Sequence, residues 1–181
     1  ARSMYLSLGF MGGFTQRQFN PQKLTFDNQY NGSDFDPGLP SGEMISKYNY
    51  LYADGAVGLS FSSTIGADVN YFIGASYYHF NRPKVSFMGD ESVELNHKWE
   101  YNAGLTAPLG DFTKIILQYN QLKQGIYSEE IGGALVGYAF DAKEGPEPET
   151  KMIYGGLFVR WGDAVIPVIK LEMRKYEVAF S

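Results

Sequence analysis

The stretch Glu94-Leu95-Asn96-His97-Lys98-Trp99-Glu100-Tyr101-Asn102-Ala103-Gly104-Leu105-Thr106-Ala107-Pro108 carries the strongest structural signal in the chain. Leu95, Trp99, Tyr101, Ala103, Leu105 and Ala107 fall on one side of a period of two. Glu94, Asn96, Lys98, Glu100, Asn102 and Thr106 fall on the other. Successive side chains of a β-strand point to opposite faces, so the pattern predicts a strand with one greasy and one polar face. The polar face carries both signs of charge in mid-strand, which a wet or ion-paired environment tolerates and a dry core does not.

The alternation recurs on both sides of this stretch, giving about nine candidate strands joined by polar, Gly- or Pro-containing connections. The others are predicted at Met4 to Arg17, Leu51 to Ser62, Val69 to Asn81, Thr113 to Gln121, Glu130 to Phe140, Met152 to Trp161, Val165 to Arg174, and Tyr176 to the chain end. In the first, Met4, Leu6, Leu8, Phe10 and Phe14 share a face opposite Ser7, Gly9, Gly13, Thr15 and Arg17. Most come near the roughly 9 to 11 residues with which a tilted strand crosses a bilayer. No run reaches the roughly 18 consecutive apolar residues of a spanning helix, so any membrane segment here is built from strands.

With 181 residues, the chain suits a single domain covering 1–181. Gly (21), Tyr (14) and Phe (13) are abundant, which also favours β-structure. A net charge of −5 with scattered basic residues excludes nucleic acid as a partner, because phosphate contacts need clustered Lys and Arg. The absence of cysteine removes disulfide scaffolds and thiol chemistry. No secretory leader pattern opens the chain, and a half-strand at either terminus would leave an unpaired sheet edge, so both ends are read as cut edges of a longer protein.

Three features turn the apolar faces outward. Aromatic residues gather near strand ends, as in Tyr48, Tyr50 and Tyr52, Tyr77, Tyr78 and Phe80, Trp99 and Tyr101, and Tyr154, Phe158 and Trp161, which suits two interfacial girdles. The polar faces hold long charged side chains: Lys98, Glu100, Lys170, Glu172 and Arg174. Connections also alternate in length: 19–49 and 81–92 are long, whereas 63–68 and 108–111 are short. That rhythm breaks at 141–151, long where a short turn is due, and at Gly162-Asp163, tight where a long loop is due. The expected fold class is all-β, an antiparallel transmembrane β-barrel of outer-membrane type, of which this chain covers part. A soluble lipocalin-like barrel is the alternative, since alternation alone fits it too.

Four segments, in order, carry a family likeness. They are the Gly-rich strand Leu6 to Phe14 with its loop through Asp36-Pro37 and Pro40-Ser41-Gly42; Asp54-Gly55-Ala56-Val57-Gly58-Leu59; Gly74 to Pro83 with Ser86-Phe87; and Gly156-Leu157-Phe158-Val159-Arg160 with Asp163-Ala164 and Pro167. Together they resemble the PorP/SprF-type proteins of the type IX secretion system, over nearly the whole chain. The resemblance implies a barrel in the outer membrane of Bacteroidetes-type bacteria, with the bilayer, an exported surface protein or adhesin, and machinery subunits as partners.

Motifs with chemical meaning have bland readings. His79 and His97 lack a second His, a Cys or an acid at metal-ligand spacing, and serve better as structural residues. Ser76 or Ser86 with a histidine is too local on a strand to converge as a hydrolase pair. Gly12-Gly13, Gly132-Gly133 and Gly155-Gly156 lack the following helix of a phosphate loop. The acidic turn Glu144 to Glu149 lacks a spaced calcium-ligand series. No catalytic residue, cofactor or metal is therefore assigned. Arg160 and Asp163 are read as a structural ion pair pinning a hairpin. The partner-contact candidates are Phe26, Tyr30, Phe35, Asp36, Pro37, Pro40, Ser41 and Gly42 in the long, external loop 19–49, with Arg82 and Pro83. The function expected is a non-catalytic anchor or docking barrel, with a porin or small-molecule transporter as the alternative.

Overall fold

The computed structural model describes residues 3–66, 68–143, 149–173 and 176–181, without the side chains of Gln22 and 141–150. Nine antiparallel strands follow in chain order: β1 Met4–Gln18, β2 Asn49–Ile65, β3 Val69–Tyr78, β4 Lys98–Pro108, β5 Thr113–Gln124, β6 Tyr127–Lys143, β7 Glu149–Arg160, β8 Ala164–Met173 and β9 Tyr176–Phe180. Each pairs with its sequence neighbours, so the sheet order is β1 to β9. Among the described residues the only helical pieces are two 3-10 turns, Pro21–Lys23 and Asp27–Gln29.

Every expected strand exists, and the differences lie at the ends. β4 begins at Lys98 rather than Glu94. Lys84 bridges Glu94, and Leu95 N–H donates to the Pro83 carbonyl at 2.9 Å, so that segment pairs within its own loop. β3 stops at Tyr78 rather than Asn81, because His79 (φ 59°) and Arg82 (φ 44°) turn the backbone into the left-handed region. β6 and β7 run further than expected, to Lys143 and from Glu149. The expected long connection 141–151 thereby shortens to 144–148, and that acidic turn, like Arg174, lies outside the described residues. In a meander successive connections alternate between the two strand ends. Within the first unit, 109–112 lies at one end, and 125–126 and 161–163 at the other.

The chain forms two compact units. One comprises β3 to β9, with β1 through Phe10 and β2 from Val57. Its register fixes the two faces. Tyr71 pairs Leu105, Leu105 pairs Leu117, Leu117 pairs Ala134, Ala134 pairs Leu157, and Leu157 pairs Pro167, so one row of directly opposed residues is apolar throughout. A row three residues along, on the opposite face, is mostly polar or small: Gly74, Asn102, Asn120 and Arg160, with Ile131 between the last two. The second unit comprises Met11–Ala56 and His79–His97.

Candidate membrane face and loop platform

In the first unit the hydrophobic order is inverted. Among the described residues of the whole chain, Ala56, Leu135 and Tyr154, with Pro83, are the buried residues with apolar side chains or rings. Leu117 (42%), Val136 (48%), Leu157 (55%) and Ile169 (60%) are exposed on the apolar face. A contiguous apolar surface of this kind in water would be an aggregation site; it calls for a nonpolar environment.

That face is banded. Towards the ends of β3 and β4 nearest residues 79–97, Tyr77 packs on Trp99 at 4.3 Å and Trp99 stacks on Tyr101 at 6.2 Å. Tyr119 and Trp161 continue the band, with Trp161 near Gly132. One step further out, Gln121 donates to Glu130 at 3.0 Å, a polar pair suited to the water side. Tyr71, Tyr138 and Tyr176 lie on the same face towards the other end. Trp99 to Ala107 covers about 27 Å of strand at about 3.4 Å per residue. A tilt of about 40° makes that about 20 Å of height, close to the ~25 Å apolar band of a membrane barrel. Tyr78, Tyr154 and Phe158, expected in the girdles, belong instead to the polar face. Phe158 and Tyr154 stand opposite Gly133 and Gly137, where the missing side chains leave room for their rings.

The charges of the polar face are tied to partners. Tyr78 Oη and Asn120 Nδ2 both donate to Glu100, at 3.1 Å each, and Lys98 Nζ lies 4.2 Å from the Tyr78 ring centre. Tyr154, 1% exposed, donates to Glu172 at 2.5 Å, with Lys114 and Lys170 over its ring at 5.2 and 5.0 Å. Lys170 also pairs with Glu177 at 3.0 Å. Arg160 donates to Asp163 at 2.7 Å across the turn between β7 and β8, where Gly162 takes φ 76°.

In the second unit, residues 26–42 pack on themselves around Gln29. Its Nε2 donates to the Leu39 carbonyl at 3.0 Å, its Oε1 accepts from Phe26 N–H at 3.2 Å, and its carbonyl accepts from Asp36 N–H at 2.8 Å. Tyr30 bridges Phe35, and Asp36 Oδ1 accepts from Gly38 N–H. Gly42, at φ 75°, lies against Asn28, so a Cβ there would collide with the Asn28 amide. Of the candidate contact residues, Tyr30 (59%), Phe35 (37%), Asp36, Pro37, Pro40 and Gly42 are exposed, while Phe26 and Ser41 are half-buried. Arg82 is exposed and holds Glu94 at 3.1 Å; Pro83 is buried.

Phe87 ties residues 79–97 to the long loop. Its carbonyl accepts from the N–H groups of Ser46 (3.1 Å) and Lys47 (3.0 Å), and its ring meets Phe19 at 4.9 Å and Tyr50 at 4.7 Å, both edge-on. Asp54 accepts from His79 Nδ1 at 2.8 Å, and the His79 carbonyl accepts from His97 Nδ1 at 3.0 Å. The contacts of Phe87 and the Asp54–His79 pairing were not read from sequence, because they join segments distant along the chain; Gln29 was not singled out, although its partners Phe26, Asp36 and Leu39 are close in sequence. Ser86 Oγ caps its own turn, accepting from Met88 and Asp90 N–H. No group of three His, Cys, Asp or Glu side chains suited to a metal occurs among the described residues. Hydrogen bonding from Lys84 holds the Glu91 carboxyl below its ordinary pKa, and the same bond raises that of Lys84. The Ser92 side chain, followed by its backbone N–H, lowers that of Asp90.

The family described as type IX secretion system membrane protein PorP/SprF matches residues 1–181, the whole chain. No curated protein and no solved structure matches it.

Proposed function

Because the chain belongs to the PorP/SprF family of type IX secretion system membrane proteins, we propose that it is part of a single outer-membrane barrel that anchors an exported surface protein without catalysing a reaction. Family membership removes the soluble lipocalin-like alternative. In this reading the banded apolar face meets lipid, and loop 19–49 is external and receives the exported protein or a subunit of the machinery. The supporting observation is a loop ordered by Gln29 and Phe87 that nonetheless leaves Tyr30 and Phe35 exposed. Binding energy concentrates in such aromatic anchors once a partner covers them.

The test is capture of the native surface protein from membranes carrying Tyr30→Ala with Phe35→Ala. The expected loss is about 2 kcal/mol or more, with an unchanged heat-modifiable barrel on gels. Full capture by a destabilised barrel would instead make the loop a self-packed plug. The charges of the polar face favour a second reading, a porin or small-molecule transporter, for which steady conductance of the full-length protein in planar bilayers would be the signature.

A further inference from the structure

Within the first unit, a cavity of about 250 Å³ opens on the polar face, bounded by the first residues of β1, the end of β2, the start of β3 and the end of β4. Its wall differs from the rest of that face. Charged side chains elsewhere on it, such as Glu100, Lys170 and Glu172, form ion pairs and hydrogen bonds. None of the residues lining the cavity is charged.

Hydroxyl-bearing Tyr5, Ser62, Thr64 and Thr106, the amide-bearing Asn70 and aromatic Phe72 are among the lining residues, and most of the accessible wall is carbon. Thr64 Oγ1 donates to Asn70 Oδ1 at 2.8 Å, which fixes the amide so that its NH₂, a double donor, has a set direction. Phe72 stands opposite Gly104 in the β3–β4 register, and its ring occupies the space that a Cβ at Gly104 would take. The glycine therefore lets the ring lie along the wall.

These groups select a ligand by chemistry. An anion would find no cation and a cation no carboxylate. A purely apolar molecule would strip water from hydroxyls and an amide without replacing their hydrogen bonds. What fits is a neutral molecule with many hydroxyls on its rim and a C–H face to lay against an aromatic ring. The cavity is smaller than the roughly 300–1,000 Å³ pockets of drug-sized ligands, which suits one ring at a time. We propose that this cavity is a binding subsite for a neutral sugar ring, free or at the end of a glycan, independent of the anchoring role of the loops.

The test uses the full-length protein in an amine-oxide detergent, which carries no sugar headgroup. Glucose and N-acetylglucosamine are the probes, followed by saturation-transfer NMR and titration. Saturable transfer to the C–H protons of at least one sugar is expected. Thr106→Val, which removes a hydroxyl at nearly constant volume, should weaken binding roughly fivefold. Gly104→Ala should weaken it further by displacing the ring, while Ile166→Val, on the polar face of β8 opposite Phe158, should bind as the parent does. Heat-modifiability on gels identifies the folded variants, and the near-isosteric Thr106→Val keeps the comparison meaningful if Gly104→Ala does not fold. Displacement of bound dextran by the free sugar would support a chain-end glycan ligand; sugar binding without dextran retention would support a small-molecule ligand. The proposal is overturned if neither sugar shows transfer, if Thr106→Val binds as Ile166→Val does, or if a Ser/Gly peptide saturates the site and the sugars do not compete.

Discussion

Tyr154 shows how one side chain can organise a polar wall. Its ring fills the space left by Gly137, its hydroxyl holds Glu172, and two lysines lie over its face. Tyr154→Phe removes a hydrogen bond to a charged group and should lower unfolding stability by about 1.5–3 kcal/mol in lipid or detergent, measured by urea titration. Sequence alternation alone could not place this residue, because Tyr154 lies close to a strand end and reads there as an interfacial aromatic. Only the pairing with Gly137 reveals the cross-strand vacancy. The ion pair of Arg160 and Asp163, by contrast, was legible because both partners sit in one short turn. Lys84 and Glu91 give a pH prediction at the same scale. The depressed Glu91 carboxyl contributes above its unfolded value of 4.5 and loses that contribution as pH falls through the lower folded value. The raised Lys84 contributes below 10.5 and loses its contribution as pH rises through its folded value. Protease protection of residues 84–91 should therefore be flat between these limits and decline at the acid and alkaline extremes.

At the scale of elements, all nine strands were legible because alternation is a local property written into each of them. Their ends were not, because ends are set by partners elsewhere. The clearest stretch, Glu94 to Pro108, continues its alternation through residues 94–97, yet pairing of Lys84 with Glu94 takes them out of the strand. The order within the long loop was likewise hidden. Its aromatic residues marked it as a contact segment, but Gln29 reads as one polar residue among many, and Phe87 lies in a different connection. Phe87 makes two edge-on ring contacts, each worth about 0.5–1.5 kcal/mol. Phe87→Ala should therefore release residues 43–48 to proteolysis or hydrogen exchange, with strand amides of β4 to β8 keeping their protection. Uniform loss of protection across the strands would contradict a separately ordered loop unit.

At the scale of the molecule, the first unit is a meander whose exposed face is apolar and whose opposite face holds most of its charges. This inversion accords with the family's membrane character, and in the function proposed above the row Leu117, Ala134 and Leu157 faces lipid. Arginine at Leu117 should accordingly cost about 2–4 kcal/mol of folding free energy near the midplane, while Gln118→Arg on the polar face should cost little. The chain contains no cysteine, so single cysteines can be placed without background from it. The most direct measurement is spin-label accessibility in the full-length protein in lipid vesicles, with labels at 117 and 157 on one face and at 118 on the other. Strong relaxation by oxygen and weak relaxation by a water-soluble nickel chelate are expected at 117 and 157, and the reverse at 118. Nickel access at 117 and 157 equal to that at 118 would contradict the lipid-facing assignment.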